Sequence, residues 1–280
     1  MNPNEISQAM FTANVQAFNG LGLRPFLNSR QREIRRSFEL KHKNPLLKHS
    51  EKYFSQNGED GILLEIIRRL NLKRPITFLE FGADSGLENN TVNLLVHGHR
   101  GAWVGADELA ITIPLNSKKL TYIKSWITAE NANALFDSAC ERMGLSDVDI
   151  FSIDLDGVDI YILEALMAKG KRPAVIICEY NGKFPPPVKF RVKYNPQFQW
   201  DGSDYFGASL TDFNETLVAN DYRLVCCDIS GVNAFWIHNT YSAAFEDIST
   251  KIEDIFVPAD YGHLYRVGHA PSPKTIESFL

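Results

Sequence analysis

Two short segments hold the residues best suited to chemistry. FSIDLDG sets Asp154 and Asp156 around the end of an apolar run, with Asp159 just beyond, and CEYNG sets Glu179 and Asn181 at the end of another. Carboxylates that converge repel one another unless they are protonated or neutralised by a cation. Oxygen donors from Asp, Glu and Asn suit a hard divalent cation such as Mg²⁺, so Asp154, Asp156, Glu179 and Asn181 form a candidate metal set. A metal there would clamp a substrate oxygen and lower the pKa of a hydroxyl. A plainer reading makes these acids helix caps, with Asp156 before Gly157 a turn residue.

A third segment, FLEFGADSGLENNT, raises the question of a ligand-binding turn. An apolar run ends in Glu80, and Gly82, Ala83, Asp84 and Gly86 follow in a Gly-x-x-x-Gly pattern. Such a turn, between a parallel strand and a helix, lets backbone approach a ligand at the carboxyl edge of a sheet. A nicotinamide site wants G-x-G-x-x-G, and the third glycine is missing. The wider spacing suits the amino-acid end of S-adenosylmethionine better than a pyrophosphate. Asp107 and Glu108 follow about 20 residues later, where an acid takes both ribose hydroxyls of an adenosine. That placement serves either cofactor.

These residues need a scaffold, and a β/α alternation from residue 59 supplies it. EDGILLEIIRRL has apolar residues at helical spacing, ITFLEF reads as a buried strand, and LENNTVNLLVHG reads as a helix. AWVGAD and LTYIKSWI are two further strands, AENANALFDSACERMG a helix, VDIFSIDL a fourth strand, IYILEALMAKG a helix with a glycine stop, and PAVIICEYN a fifth strand. The alternation predicts a mostly parallel sheet. KFPPPVKFRVKYNPQFQWDGSDYFGAS interrupts it as a long loop whose aromatic content argues for order. Tyr194, Phe198, Trp200, Tyr205 and Phe206 could stack on sugar faces or pack on each other, and Asp201 and Asp204 could bond hydroxyls. SLTDFNETLVAND reads as a helix. YRLVCCDI and VNAFWIH read as strands joined by a Ser-Gly turn, a hairpin.

Composition narrows the function classes. The chain has 280 residues, 44% hydrophobic, with a formal net charge of −5, enough for one large α/β domain and a poor match for a phosphate backbone. No apolar stretch is long enough to span a bilayer. The amino terminus lacks a charged-then-apolar signal pattern, so the reading is cytoplasmic. Four cysteines, Cys140, Cys178, Cys226 and Cys227, show neither zinc nor disulfide spacing and read as buried reduced thiols. Residues 1–50 read as a basic helical extension; a solvated arm is the plain reading, and a homo-oligomer contact or steering of an acidic substrate the sharper ones.

Several blocks taken together carry a family resemblance. YFSQNGEDGIL, FLEFGADSGLENNT, GHRGAWVGADE, FSIDLDGVDIYILEAL, IICEYNGKFPP, WDGSDYFGASL and VNAFWIH occur in this order over roughly residues 50–240. The chain thereby resembles the FkbM-like group of class I S-adenosylmethionine-dependent methyltransferases. The resemblance implies a Rossmann-like seven-stranded sheet, mostly parallel, whose last strands form an antiparallel hairpin. It implies O-methylation of a hydroxyl on a sugar, a glycan or a secondary metabolite. Carried over by position, Glu80, Gly82, Asp84 and Gly86 would surround the methionine part of the cofactor and Asp107 would take the ribose. Ser125 and Trp126 would flank the adenine, and Gln56 and Glu59 would sit over the cofactor or close the active site. Asp154 with Glu179 and Asn181 also looks like the metal site of catechol-type O-methyltransferases. Here Tyr180 separates Glu179 from Asn181, where that type has adjacent Asp and Asn.

Methyl transfer requires alignment of oxygen, methyl carbon and sulfur, and removal of a proton. Base candidates are His238 at the end of the last strand, His97, His99 and Lys183, or a metal that acidifies the hydroxyl directly. The expectation is therefore an extension over 1–50 and a methyltransferase-like α/β domain over 51–280, with a small-molecule or sugar substrate. Three alternatives stand: a metal-dependent nucleotide-sugar glycosyltransferase, which uses Asp-x-Asp but leaves the glycine turn unexplained; a nicotinamide enzyme; and a non-catalytic protein that keeps the fold.

Overall fold

The computed structural model describes residue 33, residues 36–38, 41–72, 74–260 and 273–280. The chain divides into two units. The first, Met1–His42 with Tyr265–His269, lies almost wholly outside the described residues, and most of the expected N-terminal extension with it. The second, Lys43–Leu264 with Ala270–Leu280, is the α/β unit. Residues 43–50 belong to this second unit: a 3-10 turn at Pro45–His49 buries Leu46 and Leu47.

Short strands whose central residues are mostly buried make the sheet, because helices cover both of its faces. After α1 (Glu59–Leu70) come β1 (Thr77–Phe81), α2 (Val92–Val96), β2 (Arg100–Gly105), β3 (Leu120–Lys124), α3 (Ala132–Met143), β4 (Ile150–Ile153), α4 (Asp159–Ala168) and β5 (Val175–Glu179). Then follow α5 (Leu210–Val218), β6 (Tyr222–Cys227) and β7 (Asn233–His238). The strand order is β3-β2-β1-β4-β5-β7-β6. β1 to β5 pair in parallel, and β7 runs antiparallel to both β5 and β6. This is the Rossmann-like, seven-stranded arrangement with an antiparallel end that the sequence predicts.

The chain order reverses between β1 and β4, which both begin their outgoing loops at the same edge. That edge is the switch point where open α/β sheets bind ligands. The expected helix over residues 87–98 is shorter than its pattern. Its first turn is lost because Asn90 N–H (3.0 Å), Thr91 N–H (3.1 Å) and Thr91 Oγ1 (2.5 Å) all donate to the buried Glu80 carboxylate. The four cysteines are buried free thiols. Among the described residues no helix is long and apolar enough to cross a membrane.

Candidate active site

The carboxyl ends of β1, β4 and β5, the start of α1 and the β6–β7 turn enclose one cavity of about 220 Å³. Gln56, Glu59, Glu80, Gly82, Asp84, Asp154, Asp156 and Glu179 line it, so eight of the residues singled out in the sequence meet in one place. Ser85, Glu88, Asn89, Asn90, Val232 and Asn233 complete the wall.

Each acid has a local reason to be where it is. Gly82 has a φ of +96°, and its N–H donates to the Val104 carbonyl at 2.9 Å, which turns the chain sharply off β1. The DLDG turn after β4 is folded by Asp159, whose carboxylate accepts from Leu155 N–H (2.8 Å) and Gly157 N–H (3.0 Å). This holds Asp156 at a φ of +53°, a conformation Asp tolerates better than most residues. Asp156 is thus both a turn residue and a wall of the cavity. Before α1, the Asp60 carboxylate gathers the N–H groups of Tyr53, Phe54 and Ser55 at 2.7–2.9 Å. That stitch fixes the SQNG segment and sets Glu59 against the cavity, where it accepts from Asn57 N–H at 2.6 Å and Asn57 Nδ2 at 2.9 Å.

One carboxylate oxygen from each of Asp154, Asp156 and Glu179 lies within 4.8 Å of those of the other two. Among the described residues no lysine, arginine or histidine lines the cavity. The uncompensated charge shows in the protonation equilibria. Burial, then Asp156, Asp159 and Glu80, push Asp154 well above the usual carboxylate range. Burial and the Asp154 carboxylate do the same to Glu179, and burial with Asp84 raises Asp156. Glu80 is pushed up to about 7 by burial, against its three hydrogen bonds. Three close hard-oxygen donors with no protein cation are a donor set that fits a divalent ion.

This crowding sets a sign for stability against pH. Glu80 at about 7, with Asp60 and Asp159 at about 6, hold protons in the folded state that they release when unfolded. Raised carboxylate pKa values stabilise the fold at low pH, and that contribution disappears as pH rises through them. His99, lowered by burial, opposes this with a single group. The metal-free protein is expected to lose roughly 5 °C or more in thermal midpoint between about pH 5 and about pH 7.5. A flat or rising midpoint across that window contradicts the burial of these acids.

The remaining sequence candidates separate. Ala83 is fully buried behind the turn, and Gly86 packs on Trp103. Asp107 is exposed at the end of β2, outside the cavity; its carbonyl and that of Gly105 accept from the Tyr122 hydroxyl. Burial and the nearby Asp107, Glu108 and Asp84 push Tyr122 up to about 12, so these acids share one flank of the edge. Ser125 and Trp126 follow β3 on that flank, also outside the cavity.

Two expectations need correction. Asn181 is not open to a metal: it is 1% exposed, its Nδ2 donates to the carbonyls of Asp204 (2.9 Å) and Phe206 (3.1 Å), and its Oδ1 accepts from Lys183 N–H. It clips the long loop to β5. His238 lies at the opposite edge of the sheet, because β7 runs antiparallel and its last residue meets the start of β5; His238 N–H donates to the Ala174 carbonyl. There its ring contacts Tyr222 edge-on and Thr240 Oγ1 at 2.9 Å. It borders a second cavity of about 760 Å³ with Arg74, Arg100, Arg172 and Tyr241. That cavity is larger, but Arg74 and Asp149 in its wall satisfy each other in a two-bond ion pair (2.8 and 2.6 Å). His97 is held by the Asn93 carbonyl and His99 by Ile76 N–H, away from the acids. Lys183 pairs with Asp204. None of the four lines the acidic cavity.

The loop over 183–208 is ordered, as its aromatics suggest. Tyr194 bridges Glu130 (2.6 Å) and Ala129 N–H (3.1 Å), and Trp126 Nε1 donates to the Pro196 carbonyl at 2.7 Å. Phe198 packs directly on Gly157, where an added Cβ would come within 2.4 Å of its ring. Trp200 and Tyr205 are each 49% exposed. The loop therefore stands beside the acidic turn as a wall. Asn233 is the residue that sequence reasoning missed. Its signal was the hairpin itself, since an antiparallel last strand must begin beside the end of strand five.

No family model and no curated protein matches the chain. Among solved structures it is similar to a CurJ carbon methyltransferase, at 10% identity and a TM-score of 0.39 over 85% of this chain and 70% of that one. An O-methyltransferase family protein from Burkholderia thailandensis shares 8% identity and a TM-score of 0.38 over 63% and 55%. A protein described as a hemolysin from Lactococcus lactis shares 11% and 0.38 over 62% and 84%. Likeness at this level assigns no activity.

Proposed function

We propose that the protein is an S-adenosylmethionine-dependent O-methyltransferase that uses a divalent cation and acts on a hydroxyl of a sugar, glycan or secondary metabolite. The observation that supports this reading best is the acidic cavity at the β1/β4 switch point. Its seven carboxylates, with no lysine, arginine or histidine among the described residues that line it, favour a ligand that brings positive charge. A sulfonium and an ammonium on one cofactor, together with a divalent ion, meet that demand.

In this reading the Gly82 turn and Glu80 hold the amino-acid end of the cofactor, and the adenosine extends past Asp84 toward Asp107, Ser125 and Trp126. Asp154, Asp156 and Glu179 hold the ion. The cofactor supplies an activated methyl carbon and the ion polarises the acceptor hydroxyl. The proton leaves toward a carboxylate of the cluster, since the histidines and Lys183 stand elsewhere. Trp200, Tyr205 and Phe198 give the acceptor an apolar and aromatic wall suited to a sugar face.

A nucleotide-sugar glycosyltransferase fits less well. It would use the same three-carboxylate ion site, but it leaves the glycine turn at Gly82 and the acid at Asp107 without a role. Calorimetric titration separates the readings. S-adenosylhomocysteine is expected to bind at micromolar concentration, with Mg²⁺ changing the affinity for a catechol-like or sugar acceptor. A nucleotide sugar or NAD binding in its place would overturn the proposal.

A further inference from the structure

Asn233 is the first residue of β7 and stands opposite Glu179 in register. Directly opposed residues of an antiparallel pair project from the same face, so both side chains reach the cavity they line. Asn233 is 3% exposed. Its Nδ2 donates to Glu59 Oε1 at 2.9 Å. Glu59 acts as an acceptor in every contact it makes here, from Asn57 N–H, Asn57 Nδ2 and Asn233 Nδ2. An acceptor on that side dictates the amide's orientation: nitrogen toward Glu59, oxygen away from it. The oxygen so turned, Asn233 Oδ1, is buried and has no hydrogen-bond partner. Buried acceptors are nearly always satisfied, so an orphan in the wall of an acidic cavity calls for a cation.

We propose that Asn233 Oδ1 is the fourth oxygen ligand of a hard divalent cation held by Asp154, Asp156 and Glu179, and that Glu59 is the positioning residue that fixes its amide. The assignment rests on the metal reading of the preceding subsection. A neutral amide is a fitting fourth donor. Three carboxylates already exceed the charge of a divalent ion, and an amide oxygen completes the donor set without adding to the total charge that Glu59 and its neighbours carry. Asn181, the amide that sequence spacing nominates, has both of its amide atoms committed to backbone groups. Glu59 plays the part that outer carboxylates play around metal-bound side chains, fixing which atom faces the ion.

Mn²⁺ titration of the full chain tests this, read by calorimetry and by the paramagnetic signal of free Mn²⁺. Asn233→Ala is expected to weaken Mn²⁺ binding about tenfold or more, and Glu59→Gln to weaken it less, by freeing the amide to turn. The exchanged pair Glu59→Gln with Asn233→Asp keeps an amide donor facing a carboxylate, and is expected to recover most of the affinity. Unchanged Mn²⁺ affinity in a folded Asn233→Ala protein would overturn the assignment while leaving the three-carboxylate site standing. Should that variant fail to fold, the exchanged pair decides: a tenfold loss there counts against the assignment, and recovery supports it. A wild-type chain that takes up no Mn²⁺, with or without S-adenosylhomocysteine, overturns the metal reading and this assignment together.

Discussion

Gly82→Ala is expected to destabilise the protein by roughly 3–5 kcal/mol and to destroy the candidate site, one of the largest effects of any single methyl group in this chain. The Cβ would land 1.7 Å from the carbonyl oxygen of Asp154 and 2.7 Å from its carbonyl carbon. Those atoms are backbone and cannot swing aside. Nor can the strands part cheaply: Phe81 and Ile153 are paired in register, and Asp154 N–H donates to the Phe81 carbonyl at 3.0 Å. The positive φ adds strain of its own. Gly98 isolates that second component, because its φ is +81° and nothing lies within 4 Å of its would-be Cβ. Gly98→Ala should therefore cost only about 1–2 kcal/mol. Denaturant titration of the two variants measures the difference. Equal losses would mean that the close approach of the β1 and β4 ends is wrong.

Asp154→Asn is expected to act in opposite directions on activity and on stability. Its carboxylate sits among Asp156, Asp159 and Glu80, which together with burial raise its pKa. A neutral isostere relieves that repulsion, so the thermal midpoint of the metal-free protein should rise. Turnover should fall by about 10³-fold or more, on the scale of losing a group that stabilises charge in the transition state. Binding of S-adenosylhomocysteine should change only a few-fold. Asp107→Ala should do the reverse: cofactor affinity drops about tenfold and the fold is untouched, because Asp107 is exposed and its side chain supports nothing in the cavity. If Asp154 were merely a helix cap, the asparagine variant would keep both its stability and its turnover, since Asn caps a helix as well as Asp does. Equal loss of cofactor binding in both variants would mean their roles are wrongly separated.

The mostly parallel sheet, its closing hairpin and the edge that gathers the acids were legible because they follow from local patterns. Runs such as TFLEF and VIICE can be buried on both faces only in a sheet covered by helices, and alternation then forces the parallel crossovers. The glycine turn and the DLDG acids fall at one edge for the same reason. What escaped was direction and commitment. His238 stands at a strand end, but that strand is the return limb of the hairpin, which carries its end to the far edge. Asn181 has the right chemistry, but its amide is used by Asp204 and Phe206, contacts that depend on a loop path no periodicity encodes. The first turn of the helix after β1 gave way for a comparable reason. A buried Glu80 needs donors, and Asn90 and Thr91 supply them in place of helical pairing.

The hydrogen bond between Asn233 and Glu59 joins residues 174 positions apart in the chain. One wall of the cavity comes from the segment before β1, and the other from a hairpin made after all five parallel strands. During translation the glycine turn and the DLDG turn can form long before the pocket closes. A molecule that recognises the finished pocket therefore discriminates chains that have docked this hairpin from every shorter intermediate, and by mass action it favours only the former. Saturation with such a molecule becomes a gauge of how many copies have docked the hairpin, and a natural selection criterion for correctly assembled protein.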